Sequence, residues 1–272
     1  MKDAQPRVTR GRVWFDKLAA AESTLLATPS VLSASGTIGV ESAHFLAVVP
    51  NEHNRFPRAR EGEVGIDEGW ALAREVKSVV DRDHLPAKRA IVAIVDVPSQ
   101  AYGRREELLG LHLACAAAVD AYATARLAGH PVIGLIVGQA YSGAFLAHGY
   151  QASRLLAFDD PGVVIHAMGK TAAARVTKRT VEELEALAET VLPLAYDVRS
   201  FAQLGLLYRL LRIGNADAPS EADVAYVRRE LGEAIADARR KPRDLSDRLS
   251  SPQAKSRRAA TIRVREALER QW

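Results

Sequence analysis

At 272 residues, 48% hydrophobic and 26% charged, the chain has the composition of a soluble globular protein that can bury a substantial core, which argues against general disorder. Net charge is only +4, from 37 Lys and Arg against 33 Asp and Glu, and the one cysteine, Cys115, excludes an internal disulfide. No apolar run approaches the roughly 18 residues of a membrane span, so the expectation is a cytoplasmic protein with no membrane partner. Arg7, Arg10 and Arg12 are followed by Lys17 and Glu22, which leaves no signal-peptide core. Cys115 sits in an apolar helical run and reads as a buried, inert thiol. The charge is uneven: Arg239 to Arg270 carries 11 Lys or Arg against 4 Asp or Glu. Such a tail suits nucleic acid, an acidic carrier protein, coenzyme-like phosphates, or simply a solvated helix face. Without aromatic interleaving or zinc-ligand spacing, neither nucleic acid nor a metal is expected.

In chain order, the pattern predicts a helix over Phe15 to Leu26, then extended structure from Val31 to Val49 with turns or bulges at Gly36 and Gly39. After a polar irregular stretch, Asp67 can cap a helix running to about Val80. Ala90 to Val95 is a continuous apolar run, the mark of a strand covered on both faces, and a long helix over Arg104 to Leu127 follows it. Pro131 to Val137 repeats this plan: a buried strand, a small-residue turn opened by Gly138, and a helix from Ser142 to Tyr150. Leu155 to Phe158 and Val163 to Ile165 read as short strands, and the alternation implies right-handed crossovers and a largely parallel sheet. From Met168 the chain turns mostly helical, through segments near 170–176, 181–191 and 201–204, an amphipathic helix over Glu221 to Arg240, and a last helix over Gln253 to Gln271. The reading is one α/β domain over 1–272, with its core at about 30–215 and a helical extension at about 216–272 suited to docking on another subunit.

Two strand ends carry the chemistry. His130 to Ala144 runs a buried strand through Gly138 and Gly143 into a helix, and glycine lets both chain and ligand approach closely. Unpaired amides at such a turn suit an oxyanion, including a thioester enolate, although many turns of this kind use glycine only for packing. Asp96-Val-Pro-Ser-Gln-Ala-Tyr-Gly103 ends the preceding strand, so both turns should lie on one sheet edge, where open α/β sheets place ligands. Asp96 itself reads better as a cap or turn residue, and Tyr102 as either a packing residue or a hydroxyl donor.

Pro131-Val-Ile through Gly138 and Ser142-Gly-Ala144 resembles the crotonase superfamily, and the Asp96 to Gly103 turn is similar to its counterpart in carboxyltransferase alpha-type domains. Val95 to Leu109, Gly143 to Gly149, Asp159 to Gly162, His166 to Lys170, Arg175 to Thr177, Pro242 to Ser246 and the closing Arg-Gln-Trp272 more closely resemble the gamma subunit of biotin-independent malonate decarboxylase. The likeness runs from about Val31 to the C-terminus. It implies a ClpP/crotonase-like α/β fold and a malonyl thioester on the coenzyme A-derived prosthetic group of an acyl carrier protein, with no covalently bound cofactor. It also implies a homologous beta subunit sharing the active site within a larger hetero-oligomer. On this resemblance Gly143 and Ala144 would supply the oxyanion hole, with Ser99, Gln100 and Gly138 as substrate contacts. Ser142 and His166 would face the same site, His166 as proton donor or substrate ligand or else as a hydrogen-bonded core histidine. Lys170 and Arg175 read first as a solvated pair and otherwise as contacts to a phosphate or the malonyl carboxylate, and His148 as a helix-surface or packing residue. Leu146 stands where crotonase hydratases carry a glutamate, which disfavours hydratase chemistry. Gly138 to Ser142 with Val163 to His166 also resembles the serine and histidine of Clp protease, with Asp217 the available acid. The same residues would also suit the carboxyltransferase subunit of a biotin-dependent system, or a non-catalytic scaffold whose partner carries the reacting groups.

Overall fold

A computed structural model describes residues 8–19, 23–24, 26–84 and 86–272. The small and apolar residues of β2 (Val31–Ile38) and β3 (Glu41–Val48) pair as an antiparallel hairpin, Val31 opposite Val48, turned at Gly39 in a left-handed conformation with φ +60°. Gly36 is no turn; it lies inside β2, where a Cβ would come within 2.8 Å of the Ala19 carbonyl oxygen. The short β1 (Ser23–Thr24) pairs outside β2, within the span expected to be helical. Beyond the hairpin the sheet turns parallel: β3, β4 (Ala90–Val97), β5 (Val132–Tyr141), β6 (Arg154–Phe158) and β8 (Arg209–Leu211) lie side by side, and β7 (Val164–His166) pairs with the far end of β5. The apolar runs of β4 and β5 are almost wholly buried, as strands covered on both faces require.

The first helix, α1 (Arg10–Ala19), begins earlier than the pattern predicts, and residues 20–22 and 25 of the expected span lie outside the described ones. Trp14, Phe15 and Leu18 bury against the sheet, Trp14 packing on Phe158 and donating its indole N–H to the Ala216 carbonyl at 2.9 Å. Helix α2 (Ile66–Arg82) is capped at Gly65, whose N–H donates to Glu68; Asp67 instead pairs with Arg55. The expected long helix is broken into α3 (Arg104–Leu108) and α4 (Leu111–Leu127) by Gly110, held at φ +89°. The helix after β5 is short, α5 (Ser142–Ala147), and α6 (Lys170–Thr177), α7 (Val181–Ala188) and α8 (Val198–Gln203) follow. The last expected helix is also two, α10 (Pro252–Arg257) and α11 (Ala259–Gln271).

Helix α9 (Glu221–Arg240) lies after the expected end of the core at about residue 215, yet Val224, Val227, Leu231, Ala234 and Ile235 belong to the same apolar cluster as the sheet. The part that stands away from the core therefore starts after Arg240, where Ala254 is the one fully buried apolar residue among the described ones. Part of the charge counted from Arg239 onward is structural. Arg239 pairs with Glu41 at 2.6 Å, Arg243 donates to the Leu127 carbonyl, and Arg248 donates to the Tyr150 and Ala152 carbonyls at 2.7 Å each. No described helix is long and apolar enough to cross a membrane.

Candidate active site at the joined strand ends

Between β4 and β5 the register jumps: Val95 faces Ile136, but Val97 faces Ala140, so three β5 residues oppose one on β4. That residue is Asp96, and its carboxylate accepts from the Gln139 and Gly11 amides at 3.0 Å each. A Cβ on Gly138 would stand 2.1 Å from Asp96 Oδ1. Gly138, expected to open the turn and touch substrate, is thus an interior strand residue that leaves room for the half-buried Asp96 carboxylate. Asp96 is structural, tying α1 to β4 and β5.

The real turn lies at Tyr141, Ser142 and Gly143. Ser142 has φ +56°, a conformation costing a non-glycine residue about 1–2 kcal/mol, and its hydroxyl donates to the Ala167 carbonyl at 2.8 Å. The opposing turn after β4 is pinned from outside: Val64 N–H donates to the Ser99 carbonyl at 3.0 Å, and Ala101 N–H donates to the Val64 carbonyl at 2.9 Å. The two turns meet where Gly143 N–H donates to Gln100 Oε1 at 2.9 Å. Ala144 is fully buried beside this contact, and no side chain caps α5. Gly143, Ala144, Ser142, Ser99 and Gln100 are therefore brought together at one edge, as the sequence predicts.

His166 reaches the same edge because β7 pairs with β5 in register, Tyr141 opposite His166. Its ring stacks on Tyr196 at 3.8 Å between centroids, 10° from parallel. His166 Nδ1 lies 2.9 Å from the Met168 carbonyl oxygen and 3.2 Å from the Met168 amide nitrogen. These contacts require opposite tautomers; the shorter puts the proton on Nδ1 and leaves Nε2 without a partner among the described residues. Burial holds this imidazole below its ordinary range, against the Met168 carbonyl, which favours protonation. Tyr196 also donates to the Met168 carbonyl at 2.9 Å, and burial and nearby Tyr141 raise its phenol. Sequence reasoning missed Tyr196 and Tyr141, and no local pattern marks Tyr196, thirty positions after the ring it stacks on.

Lys170 pairs with Glu185 at 2.6 Å and lies over the Tyr196 ring at 5.4 Å, while Arg175 is exposed. Lys170, Tyr196, Glu185, Leu192, Leu194 and Arg257 border a cleft of about 540 Å³. Asp217 does not approach His166; it holds Arg10, which also pairs with Asp160. With the Ser142 hydroxyl on a carbonyl, His166 on Met168 and Asp217 on Arg10, the hydrogen bonds of a serine-hydrolase triad are not made. Of the helix-surface and packing readings, His148 takes the second. It is fully buried, its Nε2–H donating to the Ile94 carbonyl and its Nδ1 accepting from Tyr122, and burial lowers its pKa to about 4. Among the described residues no His, Cys, Asp and Glu group of three or more is arranged to hold a metal ion.

The mixed sheet, the two strand-end turns joined at its edge and the helical C-terminal portion together form a crotonase fold of the carboxyltransferase-like kind. Transcarboxylase 12S shares that fold with a TM-score of 0.64 at 19% identity, covering 88% of this chain and 42% of the other. More specifically, residues 59–272 match the malonate decarboxylase gamma subunit family, and the chain belongs to it. It is 56% identical to a chain of a Pseudomonas malonate decarboxylase hetero-tetramer solved in complex with coenzyme A, with a TM-score of 0.92 and coverage of 97% of this chain and 100% of that one. It is 35% identical over 184 residues to the malonyl-S-ACP:biotin-protein carboxyltransferase MADD of Malonomonas rubra. That match takes in 65% of this chain and only 62% of the relative's length.

Proposed function

We propose that this chain is one half of a malonyl-thioester decarboxylase, acting with a homologous beta-type subunit on a malonyl group carried by the coenzyme A-derived arm of an acyl carrier protein. Decarboxylation breaks the bond between the carboxylate carbon and the α-carbon. The electron pair left behind forms an acetyl enolate, whose oxygen needs hydrogen-bond donors and whose carbon then takes a proton. The observation that carries this reading is the meeting of the two strand-end turns at Gly143 and Gln100. There the Gly143 amide is held by Gln100, Ala144 follows it at the start of α5, Ser99 stands beside Gln100 in the facing turn, and the Ser142 hydroxyl holds the turn against Ala167. His166, in its imidazolium form, is assigned as proton source through Nε2. Lys170 exchanges Glu185 for the phosphate of the carrier arm at the cleft mouth.

The partner is assigned to the same edge, because Tyr102, Leu108, Leu109, Leu113 and Leu146 are exposed apolar side chains on the turns and helices around it. The test is malonyl-thioester decarboxylation by the purified chain, by a beta-type partner, and by the assembled complex with the acyl carrier protein. Activity of the complex alone is expected. Gly143→Val should abolish it with assembly intact, since its side chain would press on Gln100 at about 3.3 Å; full activity would favour a scaffold instead. The M. rubra relative is named for transfer to a biotin protein, so avidin is a second arm: inhibition would point to a biotin acceptor rather than direct release of carbon dioxide.

A further inference from the structure

The Gly143 amide on which an oxyanion hole would rely already has an acceptor. Gln100 Oε1 takes it at 2.9 Å, and the side chain lies along Gly143, so a Cβ there would meet Oε1 at 3.3 Å and Cδ at 3.4 Å. An N–H donor selects the oxygen of a carboxamide, so this contact orients Gln100 with Oε1 toward Gly143 and the two hydrogens of Nε2 turned away from it. Among the described residues nothing accepts from Nε2, and Gln100 is half-exposed. The base of the side chain cannot drift, because Val64 brackets residues 99–101 and Tyr102 N–H donates to the Gln100 carbonyl at 2.9 Å.

We propose that Gln100 is a catalytic residue and that its Nε2–H, rather than the Gly143 amide, is the donor this chain gives to the thioester oxygen. The proposal rests on the decarboxylase reading and assigns its donor. Gly143 N–H holds the negative end of the carboxamide dipole, which sharpens the positive end at Nε2 as charge builds on the enolate oxygen. No bond to the protein is made or broken. Glycine is then needed at 143 to seat the Gln100 side chain.

Two variants of the assembled complex test this. Gln100→Glu keeps an acceptor for Gly143 but has no donor and brings negative charge to the enolate. Gln100→Ala removes the donor and bares the Gly143 amide. Rates are read as decarboxylation of the malonyl thioester and as exchange of the α-protons of acetyl-coenzyme A in heavy water, with size-exclusion profile and unfolding midpoint measured beside them. The expected result is a fall in kcat of about 10²–10³-fold for Gln100→Glu and at least about 10-fold for Gln100→Ala, with assembly unchanged. Gln100→Ala at or above the parent rate would overturn the proposal and make the side chain a cap over a Gly143 donor. An unchanged Gln100→Glu rate would overturn it as well. If the parent complex exchanges α-protons without decarboxylating malonyl thioester, the decarboxylase reading fails while the exchange rates still decide the role of Gln100.

Discussion

Gly138→Ala should cost stability before it costs chemistry. The new methyl would sit 2.1 Å from Asp96 Oδ1 and 2.6 Å from Cγ, far inside contact distance, while Asp96 is held by the Gly11 and Gln139 amides. The carboxylate must move and surrender at least one of these bonds. A hydrogen bond to a charged group contributes about 1.5–3 kcal/mol, so the net loss should be about 2–4 kcal/mol once some relaxation is allowed. For a chain of this size that lowers the thermal midpoint by about 4–16 °C. The assay is a double-mutant cycle by urea unfolding. Asp96→Ala alone should destabilise, and Gly138→Ala added to it should cost little, leaving a coupling above about 1 kcal/mol. Additive losses would show that the collision with Asp96 is not the cause. Normal stability with lost activity would restore Gly138 as a substrate contact and refute the argument.

His148 is neutral in the fold, with burial lowering its pKa to about 4 from the ordinary 6.5. Between those values the unfolded chain binds a proton that the folded chain does not, so the stabilisation is complete above pH 6.5 and is lost as pH falls toward 4. The drop corresponds to at most about 3 kcal/mol, and urea midpoints across that range should fall less in His148→Gln; an NMR titration of His148 near 6.5 would refute it. Tyr196→Leu removes the stack on His166 and should move the His166 limb of the pH–rate profile up toward 6.5, whereas Tyr196→Phe should move it less. An unmoved limb in both variants would remove His166 from proton transfer. Cys115, whose thiol is pushed up to about 11 mainly by burial and secondarily by Glu107, should resist iodoacetamide at pH 7.5 until the chain is unfolded, and rapid native labelling would contradict that.

What could be read in the sequence follows the reach of each signal. The apolar runs at Ala90 and Pro131 became β4 and β5, and the helical period over Glu221 to Arg240 became α9 residue for residue, because burial on fixed faces dictates those patterns locally. Interior glycines were harder, since the same residue serves as a helix break at Gly110, a strand gap at Gly138 and a seat for the Gln100 side chain at Gly143. Only the neighbour across the fold distinguishes these uses. Gln100 and Gly143 were each legible as turn residues, but the hydrogen bond joining them spans forty-three positions. Tyr196 left no trace because its partner ring arrives through β7 pairing, not through local spacing.

The five residues from Asp96 to Gln100 explain why fold and site are hard to separate in this protein. At one end Asp96 clasps α1 and the bulged β5; at the other, Gln100 clasps the turn that β5 leads into. The two clasps bind one stretch of chain, at Gln139 in β5 and at Gly143 just past its end in α5, so the gap between the two turns follows how β5 packs on β4. A change at Gly138 should therefore reach the substrate edge by shifting β5 against β4, displacing Gly143 relative to Gln100 without touching either. The site's geometry is a property of the sheet register, and the small-residue turn that marks it in the sequence is where that register is read out.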